Sequence, residues 1–355
     1  MTTDKARVGP RNGEQGSPPP PAPVSGRDVR QVVGELAGST WTLATLAVAL
    51  ETGLVDEIGE PATAAALASR MDMPAPLVEA VLEVLRTTGL VRKEGQAFVA
   101  EPGLASCLEG PPRDLLQAEI RSHQLQTLHL VESSRRGDIR LGWAHGDPEI
   151  LQAQGTRSRG IVEAYVSHVF PHLRGLLTML DGARPAFLDV GSGVAEIAIE
   201  MCRRFPTLRA VGLDPLEAAQ ALAEDKVRRA GLEARIELRR GRVEDLDDGD
   251  VFDLVQVPIL FLPDHALTEG FARVRKSLKP GGWVVLQVLG LPGTELPPVL
   301  RLMCVLYGSE GHSPEHAASM LTDAGYEDVV VFPPLPGPPV SYVAGRRPSG
   351  PGVRP

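Results

Sequence analysis

Cysteine is scarce in this chain of 355 residues: Cys107, Cys202 and Cys304 lie far apart and form no Cys-x-x-Cys pair. Such spacing gives neither a disulfide framework nor a thiolate metal site, so no metal centre is expected. Positive charge is in deficit as well. A formal net charge of -9 and a pI near 5.5 argue against a general electrostatic grip on nucleic acid, whose affinity comes from Lys and Arg on phosphates. No apolar run approaches the roughly 20 residues that span a bilayer, and the opening residues lack the basic, apolar and small-residue succession of a secretory signal. The expectation is a soluble, cytoplasmic protein with neither a membrane nor a nucleic-acid partner.

What the chain does have is enough apolar residue, 43%, to bury more than one core. Residues 1–28 are set apart by Pro18, Pro19, Pro20, Pro21 and Pro23 among Gly, Ser and charged residues, a composition that reads as a disordered tail. Residues 29–110 begin with helical spacing of Trp41, Leu43, Leu46, Ala47 and Leu50. A helix over Ala62–Met71, a second over Pro76–Thr88, and the strand pair Leu90–Lys93 and Ala97–Val99 then spell a winged helix-turn-helix. From Pro61 to Gly110 four positive residues face six negative ones, and Glu79 and Glu83 stand one turn apart on the would-be recognition helix. A phosphate backbone would repel that face, so the module is read as a dimerisation domain rather than a DNA reader.

Residues 111–180 read as helices that link the two halves and roof a pocket: Pro112–Glu132, an irregular stretch Gly137–Pro148, and one helix from Glu149 through Pro171 to Leu180. Residues 181–348 then alternate strand and helix from Ala186 onward, which predicts a parallel sheet wrapped by helices. Two last strands, Asp328–Phe332 and Val340–Gly345, close it as an antiparallel hairpin.

The chemistry is concentrated in Phe187-Leu188-Asp189-Val190-Gly191-Ser192-Gly193-Val194-Ala195, a buried strand, a glycine turn and a helix start in direct succession. Gly191 and Gly193 allow a tight turn and close approach of a ligand, and Asp189 can accept hydrogen bonds from an amine or from loop amides. Asp214, 21 positions after Gly193, ends the next strand, where an acid can hold both hydroxyls of a ribose. A dinucleotide and S-adenosylmethionine (SAM) both present such a ribose. Asp189 favours SAM, because a carboxylate before the glycines would repel pyrophosphate and suits a cationic amino acid.

On these residues the chain resembles the class I SAM-dependent methyltransferases, with an α/β, Rossmann-like sheet. With the N-terminal α-helical winged-helix domain included, it is similar to the small-molecule O-methyltransferases of plants and of bacterial natural-product pathways. The family pattern Asp-x-Gly-x-Gly-x-Gly matches Asp189, Gly191 and Gly193, with Ala195 in place of the third glycine. The resemblance implies SAM as cofactor, a small-molecule substrate, a homodimer, and a cofactor set of Asp189, Gly191, Gly193, Asp214, Pro215, Val243, Asp245 and Gln256. Val243 and Asp245 enter because Gly241-Arg242-Val243-Glu244-Asp245 replaces the Gly-Asp that follows the third strand in many relatives. The implied acceptor pocket holds Phe261, Leu262, Met303 and Tyr307.

The plant enzymes carry a catalytic histidine just after the fourth strand, where this chain has Phe261. His265 lies four residues further on and is a weak candidate base; the histidines of the roofing helices and His312 and His316 offer no better one. In-line methyl transfer can proceed by alignment alone, so the missing histidine does not exclude it. Two other readings stay open: a methyltransferase-like enzyme that keeps SAM for a non-methylation step, and a winged-helix transcriptional regulator with a SAM-sensing domain.

Overall fold

The computed structural model describes residues 28–350 apart from 109, 336 and 338. The proline-rich tail expected over residues 1–28 lies outside the described residues except for Asp28, which opens the first helix.

Helix α1 (Asp28–Glu51) buries only Ala49 and Leu50. Val29, Val33, Leu36 and Trp41 are exposed, Trp41 by 76%. Although no continuous apolar run marks it in the sequence, α1 is long and apolar enough on average to cross a bilayer by length and composition, because small Gly, Ala, Ser and Thr residues dilute its large apolar ones. The helix expected from Ala62 is divided. Ala62 and Thr63 form strand β1 (Ala62–Thr63), and the Thr63 hydroxyl accepts the Ala66 amide at 3.3 Å, which starts helix α2 (Ala64–Met71) one step later. Helix α3 (Ala75–Thr87) buries Val78, Val81, Leu82 and Leu85, the one-sided spacing of a helix laid on a core. Strands β2 (Val91–Glu94) and β3 (Ala97–Ala100) complete a small antiparallel sheet in the order β1-β3-β2. These elements share a core of Leu50, Leu54, Ile58, Leu67, Leu82 and Phe98.

Helices α4 (Pro102–Cys107), α5 (Pro111–Arg136) and α6 (Pro148–Arg159) carry the chain across to the second core. The single helix expected to run on to Leu180 is broken into α7 (Ile161–Ala164), a π-helical turn over Tyr165–Val169, a 3₁₀ turn over Phe170–His172, and α8 (Leu176–Leu180). Pro171 withholds an amide donor, and Gly175, at φ 78°, turns into a conformation that a helix cannot continue.

The remaining elements are β4 (Ala186–Val190), α9 (Glu196–Arg204), β5 (Arg209–Asp214), α10 (Glu217–Arg229), β6 (Ile236–Arg240), β7 (Phe252–Pro258), α11 (Asp264–Ser277), β8 (Leu278–Leu289), α12 (Pro298–Tyr307), α13 (Pro314–Asp323), β9 (Glu327–Val331) and β10 (Val340–Arg346). They build a seven-stranded sheet in the order β6-β5-β4-β7-β8-β10-β9, parallel from β6 to β8, with β10 antiparallel to both neighbours. Phe187 and Leu254 face one core while Leu188 and Val255 face the other. Burial on both faces is why these strands read as continuous apolar runs. The strand order reverses between β4 and β7, and the crevice beyond the carboxyl ends there is where sheets of this kind bind ligands.

Candidate active site

The turn after β4 holds Gly191, Gly193 and Ala195 at φ 64°, 52° and 64°. The first two have no Cβ to strain. Ala195 keeps the conformation of the glycine it replaces at a cost of about 1 kcal/mol. Asp214, at the tip of β5, closes the turn: one carboxylate oxygen accepts the Gly193 amide at 2.8 Å and the other the Leu216 amide at 2.8 Å. Burial raises its pKa, and those two amides oppose the rise. Each oxygen retains a lone pair, and Asp214 borders a cavity of about 120 Å³ with Gly191, Gly193, Pro215 and Gln256. Asp214, the expected ribose acid, thus stands at the edge of this cavity.

Asp189 is fully buried behind this wall. One of its oxygens accepts a hydrogen bond from Gln256 Nε2, while Oδ2 has no partner. Gln256 in turn accepts from Gln287 Nε2 at 2.7 Å, and Gln287 donates to the Tyr165 hydroxyl at 3.0 Å. Burial pushes the Asp189 carboxyl up to about 7, with Gln256 and the Ala198 amide pulling the other way and Asp214 adding to the rise. Contrary to expectation, Asp189 borders no part of the cleft and meets it only through Gln256, whereas Asp214 borders it directly, an edge that fits a ligand carrying a ribose. SAM is such a ligand.

A second cavity of about 420 Å³ continues the cleft past Pro215 to Gly241, Arg242, Val243 and Glu244. Val243 is buried against α11 at Gly270, where a Cβ would come within 2.9 Å of it. Val243 borders this second cavity, whereas Asp245, expected beside it, is exposed and borders neither; Glu244 and Arg242 face the space instead. The 3₁₀ turn Val243–Asp245 rotates the acid outward.

Phe261 and Leu262 line both parts of the cleft, and Tyr307 closes its far side. The rings of Phe261 and Tyr307 lie 4.8 Å apart, and Trp143 stands edge-on to both, at 4.9 and 5.4 Å. Met303 is half-buried on α12 and borders no part of the cleft; Leu306 and Tyr307 present the inner face there. His265 is exposed on the first turn of α11 and does not reach the cavity. His312 is held by Asp264 at 2.9 Å and stacked on His316.

Several residues that the sequence did not single out belong to this site. Trp143 and His145 come from the irregular stretch between α5 and α6, which the Gly142 and Trp143 amides tie to α12 by donating to Leu306 and Tyr307 carbonyls at 3.1 Å. A half-buried polar chain crosses the roof: Tyr307 donates to Gln126 at 2.6 Å, Gln126 to Ser122 at 2.7 Å, Ser122 to Gln154 at 3.2 Å, and Gln154 to Ser158 at 3.3 Å. Gln154 and Ser158 face the cofactor part of the cleft, so the chain joins its two ends. A Trp-x-His pair in a glycine-containing loop was the one local signal for any of this.

Residues 187–282 match a methyltransferase domain. Those residues therefore form a methyltransferase domain, and the chain as a whole has the fold of solved methyltransferases. It is 25% identical over 313 residues to a 3-hydroxy-5-methyl-1-naphthoate 3-O-methyltransferase of Streptomyces sahachiroi, a match covering 83% of this chain and 89% of that one. The fold is also that of the SAM-dependent methyltransferase SibL, with TM-score 0.62 and 19% identity over 91% of this chain and 99% of that one. Human N-acetylserotonin methyltransferase solved with SAM gives TM-score 0.57 and 19% identity over 90% and 98% of the two chains.

Proposed function

We propose that the protein methylates a hydroxyl group of an aromatic natural-product intermediate. Its cofactor would lie along Gly191, Gly193, Asp214 and Val243, with Asp189 beneath. The observation that carries this reading is the continuity of the cleft. Phe261 and Leu262 border the part that Asp214 faces and also the part that Tyr307 closes, so donor and acceptor can meet across them. The curated relative, named for methylating a hydroxynaphthoate, supports that acceptor class.

Methyl transfer is an in-line displacement at a sulfonium carbon, and alignment alone supplies effective molarities on the order of 10⁵ M or more. Phe261, Trp143 and Tyr307 offer ring faces and edges that hold a planar acceptor, and no histidine stands against Phe261 to take a proton from it. Positioning is therefore the main source of rate. A mass-spectrometric screen of hydroxylated aromatic acceptors with methyl-labelled SAM tests this. Label on oxygen is the expected result; SAM retained without transfer to any of them would favour a non-methylation step on the same scaffold.

The exposed apolar face of α1, with Val33, Leu36 and Trp41, is larger than the small N-terminal core can cover, and we assign it to a second copy of the chain. Domain limits follow: residues 29–110 for dimerisation, 111–180 for the roof, and 181–348 for the cofactor. Light scattering at micromolar concentration should report a dimer.

A further inference from the structure

On the other side of Tyr307 lies a separate cavity of about 210 Å³ between α5, α12 and the stretch that carries Trp143. Its polar lining is rich in hydrogen-bond donors and includes the guanidinium groups of Arg136 and Arg140. His129 and His145 meet at 4.8 Å, Arg136 and Arg140 stand at the rim, and Gln126 lies toward Tyr307. Asp138 also borders the space, but it is engaged by Arg136 at 3.2 Å. Among the described residues Arg140 makes no ion pair or side-chain hydrogen bond.

Asp138 is the one carboxylate among the described residues that line the cavity. Burial first, then the neighbouring His129, lowers His145 to about 4, although Asp147 pulls it upward. Two imidazoles thus line the cavity, the exposed Arg140 guanidinium stands unpaired at its rim, and the Asp138 carboxylate is engaged by Arg136. An anion entering here would gain charge-assisted hydrogen bonds without displacing an existing ion pair.

We propose that this cavity binds a carboxylate on the acceptor, at the end remote from the hydroxyl that is methylated. The proposal rests on the methyltransfer reading above. Gly142 and Tyr307 border both spaces, so an acceptor reaching from the Phe261 wall to Arg140 and His145 would pass beside Tyr307. The cavity thereby sets specificity: neutral aromatics of the same shape fill the ring slot but leave the cationic end unpaired.

The test uses 6-hydroxy-2-naphthoate and its methyl ester as probes, bound by calorimetry to the full chain carrying the demethylated cofactor, and then assayed for label transfer from SAM. The free acid should bind about tenfold or more tightly than the ester, the scale of one charge-assisted hydrogen bond. Arg140→Gln and His145→Phe should each narrow that ratio to about threefold or less, with thermal melting showing that both variants are folded. An ester that binds as well as the acid, a ratio unmoved in both variants, or no binding of either probe would overturn the carboxylate site. Acid-selective binding with no label on any hydroxylated probe would keep the site and sink the methylation reading. Equal transfer to both probes would do the reverse.

Discussion

Replacing Asp214 with alanine isolates the contribution of the ribose acid. In the free protein its two oxygens already hold the Gly193 and Leu216 amides at 2.8 Å, so the carboxylate is fixed in place before the cofactor arrives. Two further hydrogen bonds from ribose hydroxyls to a charged acceptor are worth roughly 1.5 to 3 kcal/mol each, which together amount to about 10²- to 10⁴-fold in affinity. The free protein should lose much less. Burial raises the Asp214 pKa, so the carboxylate is held at some desolvation cost that alanine removes along with the amide contacts. Calorimetry with SAM and its demethylated product, beside thermal melting of the cofactor-free variant, separates the two effects. Asp214→Asn should do little better than alanine, because its NH₂ must face either the Gly193 or the Leu216 amide. A dissociation constant within about threefold of wild type for Asp214→Ala would remove Asp214 from the ribose and refute the reasoning.

The Asp189 carboxyl, raised to about 7 from an ordinary value near 3.8, keeps its proton in the folded chain where the unfolded chain has lost it, so stability should fall as pH climbs from about 4 to 7. Asp189→Asn, whose amide oxygen can still accept from Gln256, should therefore raise the melting temperature of the cofactor-free protein by several degrees at pH 8 and hardly at pH 4; an equal change at both would count against the raised pKa. His265→Ala should lower turnover only modestly, since the residue is exposed, whereas Phe261→Ala should cost on the order of 10²-fold through lost alignment. A thousandfold loss in the first beside a mild loss in the second would restore a histidine base. Ala195→Gly relieves a positive φ and should stabilise the fold by up to about 1 kcal/mol, measurable by denaturant unfolding.

What could be read from the chain follows from how local each feature is. The alternation of strand and helix from Ala186 was legible, because burial on both faces makes a central parallel strand such as β4 a bounded apolar run. Asp189, Gly191, Gly193 and Asp214 were legible for a related reason: the glycine turn and the acid at the next strand tip are a local backbone device whose spacing survives in sequence. The roof was not. Its expected long helix breaks at Pro171 and Gly175, and both residues signal a break, yet apolar spacing through Ile161, Tyr165, Val169 and Leu173 stays helical because the π-helical and 3₁₀ turns keep those side chains on one side.

Asp245 and Met303 show where sequence distance misleads. Asp245 lies two residues from Val243, which faces the cleft, but a 3₁₀ turn changes facing at every step and carries the acid outward; Met303 lies one turn before Tyr307 on the same side of α12, too far back along the helix to border the cleft. Trp143 and His145 fail for the opposite reason. They belong to no periodic element, and only the backbone bonds to the end of α12, more than 150 positions later, bring them beside Phe261 and Tyr307. The cofactor half of the site is thus built from consecutive strand tips, while the acceptor half is assembled from segments that meet only in the folded chain. A sequence that announces SAM through four residues can therefore stay silent about its acceptor, and the acceptor's identity must be sought at Arg140, His145 and Tyr307 rather than in the glycine turn.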